Sequence, residues 1–275
     1  MDDHPAAARH ASRSGALGSD PRRDGALIEA RAVTHVRTVD GVRLAIRVIP
    51  PAAAPNDAAV VIAHGFGATM DDVRVDRVAR ALSAVGFAVV TYDARGHGAS
   101  LGETTLGVLE QHDVAAAVEV AREHAARVIL VGTSMGGIAV LRHASERHED
   151  VAGVVVVSTP ARWRLPRNAR GALAALMVQT RLGRSVARSR LRVRIAVGVD
   201  RGAEPIELAR VIGCPVAVIH GRADRFIAAA DAELIHRNLR GPARLVVVDG
   251  LEHAFEPSDR VTPAVLDAVE WVLSR

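Results

Sequence analysis

Residues 128–140 read VILVGTSMGGIAV, an apolar run followed by small residues and then by residues suited to a helix. Val128 to Val131 predict a buried strand, and Ser134 follows with a glycine two positions before it and another two positions after it. A strand, this serine and a helix make the geometry of a nucleophile elbow, whose tight turn leaves no room for side chains at the flanking positions. The pattern predicts Ser134 as a nucleophile, although ordinary strand-to-helix turns also contain such small residues.

Length and composition are those of a globular protein. The 275 residues are 49% hydrophobic and 24% charged, which suits one domain with an elaboration. No apolar run approaches the roughly 20 residues of a membrane-spanning helix. Residues 1–30 lack the apolar core of a signal peptide and are expected to form a disordered tail. The single cysteine, Cys214, is expected to be a small core residue in a reducing, cytoplasmic environment.

The positive charge is concentrated in one segment. All 35 basic residues are arginine, and the net charge is +4. Residues 159–205 contain eleven arginines against Asp200 and Glu204, a local net charge of +9 that leaves −5 for the remainder. The arginines predict a solvated face, an anionic substrate or peripheral contact with anionic lipid. Nucleic acid is not expected as a partner, because Trp163 is the one aromatic residue among these arginines.

Strand and helix patterns alternate along the chain after the tail. Two alternating segments around Asp40-Gly41 predict an antiparallel hairpin. Apolar strands then alternate with helical segments, which predicts a mostly parallel, eight-stranded α/β sheet with helices on both faces. The predicted strands are 34–39, 42–48, 60–63, 87–92, 128–131, 151–157, 215–220 and 243–248. An insertion over about 160–205 interrupts this order, with a predicted helix over 172–190 and a strand-like segment over 191–199.

A serine hydroxyl becomes a good nucleophile when a neighbouring base takes its proton and a carboxylate orients that base. In an open parallel sheet such groups meet beyond the carboxyl ends of the strands. His253 follows the last strand and is the predicted base. Asp224 follows the preceding strand and is the predicted acid. Asp249 is the alternative acid, although it is better suited to a turn with Gly250.

Two backbone amides are the expected donors to the oxyanion of a tetrahedral intermediate. The Met135 amide directly follows the nucleophile at a helix N-terminus, whose dipole favours negative charge. Phe66 is the second predicted donor, because the glycines on both sides of it free its peptide to turn inward. His64 is expected to orient this loop by hydrogen bonding. The sequence shows no metal-ligand cluster, and neither a metal nor another cofactor is expected.

Together these motifs resemble the α/β-hydrolase fold family, in particular its esterase, monoacylglycerol lipase and serine aminopeptidase-like branch. The resemblance covers the chain from about Val33 to the C-terminus. It rests on the order of Ser134, Asp224 and His253, on the loop HGFG at 64–67 and on YDARGHGAS at 92–100.

This resemblance implies further roles. Asp93, Arg95 and His97 would form a structural loop next to the site, with His97 as an alternative base. Glu252 stands where many relatives have glycine, which would put a carboxylate near the pocket mouth. The insertion at about 160–205 would be a short cap over the active site. Its apolar residues would either contact an acyl chain or only pack the cap onto the main domain: Leu173, Leu176, Met177, Val178 and Leu182.

The expected function is that of a serine hydrolase that cleaves a small-molecule carboxylic ester of an acyl chain through an acyl-enzyme intermediate. Ser134 would attack, His253 would transfer the proton and later activate water, and Asp224 would orient His253. An acyl thioesterase and an aminopeptidase or amidase are alternatives on the same triad. A non-catalytic binding module is an alternative from another class, which the retention of all three residues argues against.

Overall fold

The structure, a computed structural model, describes residues 32–163, 176, 178–198, 200–254 and 260–275. The predicted tail over residues 1–30 lies outside the described residues and stays a prediction. Within the described ranges, no helix has the length and the apolar character needed to cross a membrane.

A single sheet forms the centre of the described domain. Its strands are β1 (Thr34–Arg37), β2 (Arg43–Ile49), β3 (Ala58–Ala63), β4 (Ala88–Tyr92), β5 (Arg127–Thr133), β6 (Gly153–Val157), β7 (Val216–Gly221) and β8 (Ala243–Val248). Their order across the sheet is β1-β2-β4-β3-β5-β6-β7-β8. β2 runs antiparallel to β1 and β4, and the other neighbouring strands are parallel. The predicted α/β-hydrolase sheet of eight mostly parallel strands is confirmed.

Helices cover both faces of the sheet. They are α1 (Val73–Ala84), α2 (Glu110–Arg122), α3 (Met135–Glu146), α4 (Arg181–Val186), α5 (Pro205–Ala209), α6 (Ala229–Asn238) and α7 (Val261–Leu273). α1 and α7 pack on one face, and α2, α3 and α6 pack on the other. The strands supply both cores because successive side chains point to opposite faces. In β3, Val60 and Ile62 pack in the core beneath α1 and α7, whereas Ala59 and Val61 pack in the core beneath α2, α3 and α6.

The local sequence sets the ends of α1. The Asp72 side chain accepts a hydrogen bond from the Arg74 amide at 2.9 Å and so caps the helix N-terminus. Gly86, with a φ of 97°, reverses the chain after the helix and leads it into β4. Val78 and Leu82 are buried, as the helical spacing of apolar residues predicts.

The cap differs from its prediction. The sequence predicts one helix over 172–190; Leu176, Val178 and Gln179 are helical among the described residues, but the helix breaks at Thr180, whose side chain accepts the Gly183 amide at 2.9 Å and caps α4. A π-helical turn over Ala187–Leu191 follows. The strand expected over 191–199 is wrong for the described residues, since Ile195 forms only an isolated bridge with Thr104. The alternation reflects the burial of Val193 and Ile195 where this segment runs along the loop after β4, to which the Arg194 and Ala196 amides donate.

A buried arginine ties three segments of the domain together. The Arg95 guanidinium, in the loop after β4, donates to Asp113 on α2 at 2.9 Å and to Asp40 in the β1–β2 turn at 2.6 Å. The Arg95 and Asp113 side chains are only 3% and 0% exposed. Because water cannot compensate a charge that loses its partner there, this pair strongly determines stability. These contacts agree with the structural role expected for Arg95.

We expect Asp113→Ala to lower the free energy of unfolding by about 3–5 kcal/mol, because it removes a buried partner of the Arg95 guanidinium. The control is a surface carboxylate, Glu119, which is 66% exposed and pairs with Arg122. Glu119→Ala should cost less than about 1 kcal/mol. Urea unfolding followed by circular dichroism measures both losses. Equally small losses in the two variants would contradict the assignment.

Candidate active site

Ser134 lies where β5 meets α3. Its backbone adopts a φ of 50° and a ψ of −110°, a conformation that residues other than glycine rarely occupy. Its amide donates to the Val157 carbonyl of neighbouring β6 at 2.9 Å. A Cβ at Gly132 would lie 2.5 Å from the Gly136 carbonyl oxygen, and one at Gly136 would lie 2.2 Å from that of Ala63. The turn therefore has the strand-turn-helix geometry predicted from the sequence.

Ser134, His253 and Asp224 form one hydrogen-bonded chain. His253 Nε2 lies 3.1 Å from Ser134 Oγ, and His253 Nδ1 lies 2.8 Å from Asp224 Oδ2. Because a carboxylate only accepts hydrogen bonds, the proton of the neutral imidazole is on Nδ1 and the Nε2 lone pair faces the serine hydroxyl. This arrangement can take the proton from Ser134 as its oxygen attacks an electrophilic carbon.

Backbone amides hold the Asp224 carboxylate in addition to His253. Oδ1 accepts the Phe226 amide at 2.8 Å and the Ile227 amide at 2.9 Å. Burial by itself raises the pKa of Asp224, but the hydrogen bond with His253 and these two amides outweigh it, so that the pKa lies below its ordinary value. The carboxylate is therefore ionised at neutral pH in a fully buried position. It can stabilise positive charge on His253.

The alternative acid and base have other partners. Asp249 is exposed and pairs with Arg222 at 2.5 Å. His97 is buried, with Nδ1 3.1 Å from the Arg95 carbonyl and with Nε2 accepting the Gly67 amide at 3.2 Å. These two bonds occupy both nitrogens of His97, so it lacks the free lone pair that a base needs. Its contacts agree with the structural role implied by the resemblance.

The two amides predicted to hold an oxyanion lie close to the nucleophile. Met135 is the first residue of α3, and Phe66 lies in the loop after β3, the strand next to β5. A Cβ at Gly65 would lie 3.5 Å from the Ser134 Cβ. The loop after β3 therefore runs directly beside Ser134. Neither the Met135 amide nor the Phe66 amide donates to another backbone group in the described part of the chain.

Two buried neutral histidines fix the loop after β3. His64 Nδ1 donates to the Gly65 carbonyl at 2.8 Å, and its Nε2 accepts the Ala94 amide at 2.9 Å. His97 accepts the Gly67 amide, and its ring meets that of His64 edge to face at 5.1 Å. Burial lowers the pKa of both His64 and His97 to about 4, so both rings are uncharged at neutral pH. These bonds agree with the loop-orienting role expected for His64.

His220, at the end of β7, carries no sequence signal that separates it from a core histidine, yet it lies beside the predicted acid. Its Nε2 is 3.0 Å from the Ile227 carbonyl oxygen and 3.4 Å from Asp224 Oδ2. Since a carbonyl only accepts, Nε2 carries the proton and supports both groups. The ring is fully buried, and Nδ1 has no hydrogen-bond partner among the described residues. His220 therefore positions the turn that presents Asp224.

Ser158, directly after β6, holds the backbone beside the predicted base. Its Oγ accepts the amide of Ala254 at 3.0 Å, and Ala254 follows His253. Both residues have a positive φ, 49° for Ser158 and 58° for Ala254. Non-glycine residues keep such conformations only where the surrounding structure enforces them. The hydroxyl of Ser158 therefore fixes the backbone that presents His253, although a serine at a strand end gave no sign of this role.

The described part of the cap packs against the loop after β3. Ala187, Val193 and Ile195 form a small buried cluster, and Phe66 and Val178 are partly buried against it. The cap and a predicted oxyanion residue therefore share one apolar contact.

The remaining apolar residues of the cap are placed differently. Leu176 and Leu182 are 56% and 77% exposed, so neither packs the cap onto the main domain. Leu173 and Met177 lie outside the described residues. Cys214 is buried and free, as expected for a core residue.

Loss of the Ser158 hydroxyl is expected to slow the reaction of Ser134 with a fluorophosphonate probe by about fivefold. One hydrogen bond contributes about 1 kcal/mol, and here that energy holds the backbone next to His253. Both Ser158→Ala and Ser158→Gly should show the effect, since glycine accepts the positive φ but also lacks the hydroxyl. Ser145→Ala, which removes a hydroxyl from the far end of α3, is the control. Labelling at the wild-type rate in both Ser158 variants would contradict this role.

The free energy of unfolding is expected to fall as the pH is lowered from about 7 to about 4. His64 and His97 bind protons near pH 6.5 in the unfolded chain but only near pH 4 in the folded one. Their stabilising contribution is therefore complete above about pH 6.5 and is lost as the pH falls toward 4. His64→Gln should flatten the slope of unfolding free energy against pH, measured by urea unfolding. His35→Gln, at an exposed position, should keep the wild-type slope, and an unchanged slope in His64→Gln would refute the argument.

Comparison with known proteins places the chain among hydrolases. The family described as serine aminopeptidase, S33, matches residues 54–257. The uncharacterized protein YqkD of Bacillus subtilis is 26% identical over 74% of this chain and 67% of its own length. Human monoglyceride lipase is 32% identical over 51% of this chain, and the match spans about half of the lipase, 47% of its length.

Solved structures share the fold at low sequence identity. The esterase Pf2001 of Pyrococcus furiosus superimposes with a TM-score of 0.67 at 22% identity, over 89% of this chain and 92% of the esterase. Est1E of Butyrivibrio proteoclasticus, solved with ferulic acid bound, gives a TM-score of 0.65 at 18% identity over 88% and 100% of the two chains. With well over half of its residues matched, the chain belongs to the serine aminopeptidase S33 family of α/β-hydrolases, among esterase-like and lipase-like relatives.

Proposed function

We propose that the protein is a serine hydrolase that cleaves a carboxylic ester of an acyl chain through an acyl-enzyme intermediate. The observation that carries this proposal is the continuous chain from Ser134 Oγ through His253 to Asp224, with separations of 3.1 Å and 2.8 Å. Its nucleophile stands on a strained turn at the carboxyl edge of the sheet. Membership in a family of esterase-like and lipase-like proteins supports the same chemistry.

Acylation begins when Ser134 Oγ attacks the ester carbonyl and its proton passes to His253 Nε2. The carbonyl oxygen becomes an oxyanion, to which the Met135 and Phe66 amides donate. The intermediate collapses as the bond to the leaving alcohol breaks and His253 returns the proton to the alcohol oxygen. Asp224, ionised and hydrogen bonded to Nδ1, stabilises the imidazolium between these two transfers.

Deacylation repeats the sequence with water. His253 Nε2 takes a proton from a water molecule, whose oxygen attacks the acyl carbonyl. Collapse of the second intermediate breaks the bond to Ser134 Oγ and returns the proton to that oxygen. The products are a carboxylic acid and the free enzyme, and the proton count balances without a metal or an organic cofactor.

Two alternatives use the same residues on different bonds. A thioester requires no change of site, whereas an aminopeptidase needs a carboxylate to bind the free amine of its substrate. In the described part of the cap, Asp200 and Glu204 are the available carboxylates, and the Glu204 side chain already accepts the Trp163 amide. This favours the ester over the peptide. Contact of the cap with anionic lipid stays a prediction.

The test is hydrolysis of p-nitrophenyl esters from acetate to dodecanoate by the wild type and by Ser134→Ala. We expect turnover by the wild type and a loss of at least about 10³-fold in Ser134→Ala, because the nucleophile is removed. Ser145→Ala is the matched control and should keep wild-type turnover. Activity that survives in Ser134→Ala would overturn the proposal. A folded wild type that cleaves acyl-CoA or an aminoacyl p-nitroanilide but no ester would move it to one of the alternatives.

A further inference from the structure

A cleft of about 230 Å³ separates the cap from the loop after β4. One side is formed by Thr104, Thr105 and Leu106, and the other by cap residues between Val178 and Arg201. The parallel bridge between Thr104 and Ile195 joins its two sides. The cleft therefore lies at the junction of the cap and the main domain.

The cleft adjoins the side chains of the two predicted oxyanion residues. Thr104, in its wall, has its hydroxyl 3.3 Å from the sulfur of Met135. Ile195, also in its wall, belongs to the apolar cluster against which Phe66 packs. A group bound in the cleft would thus lie one side chain away from the residues on either side of the reacting carbonyl.

The lining combines apolar surface with two guanidinium groups. Its apolar part includes Leu106, Val178 and Ile195, and its charged part consists of Arg184 and Arg201. Among the described residues that line the cleft there is no aspartate or glutamate. Behind its wall, the buried Glu110 carboxylate accepts the Thr104 and Thr105 hydroxyls. Such a lining matches an anionic group carried on a short apolar chain.

Each guanidinium group has one recorded contact among the described residues. Arg184 donates to the Val178 carbonyl at 3.1 Å through one of its nitrogens. Arg201 lies over the ring of Trp163, with 5.4 Å between the guanidinium carbon and the ring centroid. A guanidinium has five N–H donors, so within the described part of the chain each arginine keeps donors for an anion. Binding then costs little ordering of these side chains.

We propose that this cleft binds a carboxylate or phosphate on a short apolar chain and that Arg184 and Arg201 are its specificity-determining residues. The volume is below the roughly 300–1,000 Å³ of a pocket for a whole ligand, so the cleft takes one substituent. The anion has two sources, an acidic group on the substrate or a free acid such as the hydrolysis product. Binding of an acidic group on the substrate rests on the proposed ester hydrolysis, whereas binding of a free acid does not.

The first experiment compares p-nitrophenyl hexanoate with the mono-p-nitrophenyl ester of adipic acid, which has the same chain length and a terminal carboxylate. The quantity measured is the ratio of kcat/KM for the acidic ester to that for the neutral ester. We expect Arg184→Gln and Arg201→Gln each to lower this ratio about tenfold. Arg181→Gln and Arg188→Gln are matched controls, because both arginines are exposed on the cap and neither lines the cleft. They should keep the wild-type ratio.

The second experiment measures binding without turnover. Trp163 stacks under Arg201, so hexanoate or hexyl phosphate added to a Ser134→Ala, Trp271→Phe protein should change the Trp163 fluorescence in a saturable way. Arg184→Gln in the same background should weaken this binding about tenfold. Hexanol, which lacks the charge, should give no saturable change.

The two results separate the sources of the anion. If the kcat/KM ratio falls in the Arg184 and Arg201 variants but the free acid does not bind, the cleft binds the acidic group of the substrate. If the free acid binds but the ratio is unchanged, the cleft binds a free acid. The cleft proposal is overturned if the ratio is the same in all variants and neither acid binds. If the wild type hydrolyses no ester, the proposed function has failed, and the binding experiment still decides on the cleft.

Discussion

The closeness of α3 to the ends of β3 and β5 is the constraint on which the site depends. Only glycine fits at positions 132 and 136, because a Cβ would meet backbone oxygens at 2.5 Å and 2.2 Å. This contact brings the loop after β3 next to Ser134, so that the nucleophile and the amide of Phe66 become neighbours. The strained φ of Ser134 follows from the same packing, since the chain must turn from strand to helix within one residue. A single packing requirement thus places both the attacking oxygen and one of the donors to the oxyanion.

A second close approach places the acid and the base. A Cβ at Gly221, the last residue of β7, would lie 2.1 Å from the Leu251 carbonyl oxygen, so glycine lets the loop after β8 cross the end of β7. This crossing brings His253 within 2.8 Å of Asp224. Ser158 then holds the loop after β8 by accepting the Ala254 amide, and His220 holds the loop after β7 by donating to the Ile227 carbonyl. Backbone contacts at the strand ends therefore determine where the reactive side chains lie.

The sequence was sufficient to predict the strands, the alternation of strands and helices, and the residues that the structure brings together at Ser134, His253 and Asp224. These predictions succeed because glycine spacing and apolar runs report short-range constraints directly. His220 and Ser158 could not be found in this way, because their partners lie in other loops and because histidine and serine at strand ends have many uses. The prediction of a strand in the cap was wrong for a related reason. The cap's alternating residues from 191 to 199 look like a strand, but the described ones pair with the loop after β4 rather than with a strand of the sheet, and the only bridge among them joins Ile195 to Thr104.

The arginine content of the cap has more than one physical meaning. Arg194 donates to the Gly102 carbonyl at 2.8 Å, and Arg142 on α3 reaches across to the Ala203 carbonyl at 2.9 Å. These side chains tie the cap to the main domain through hydrogen bonds to carbonyls that any long cationic donor can make. These two arginines therefore stabilise the contact between the cap and the main domain.

Arg184 and Arg201 line the cleft, whereas Arg181 and Arg188 are exposed outside it. The described arginines of residues 159–205 thus include anchoring, lining and solvated positions, which the local net charge of +9 does not distinguish. The cleft reaches Met135 through Thr104, which lines the cleft and has its hydroxyl 3.3 Å from the Met135 sulfur. The cleft and the site are therefore joined by side-chain contacts, those of Thr104 with Met135 and of Ile195 with Phe66.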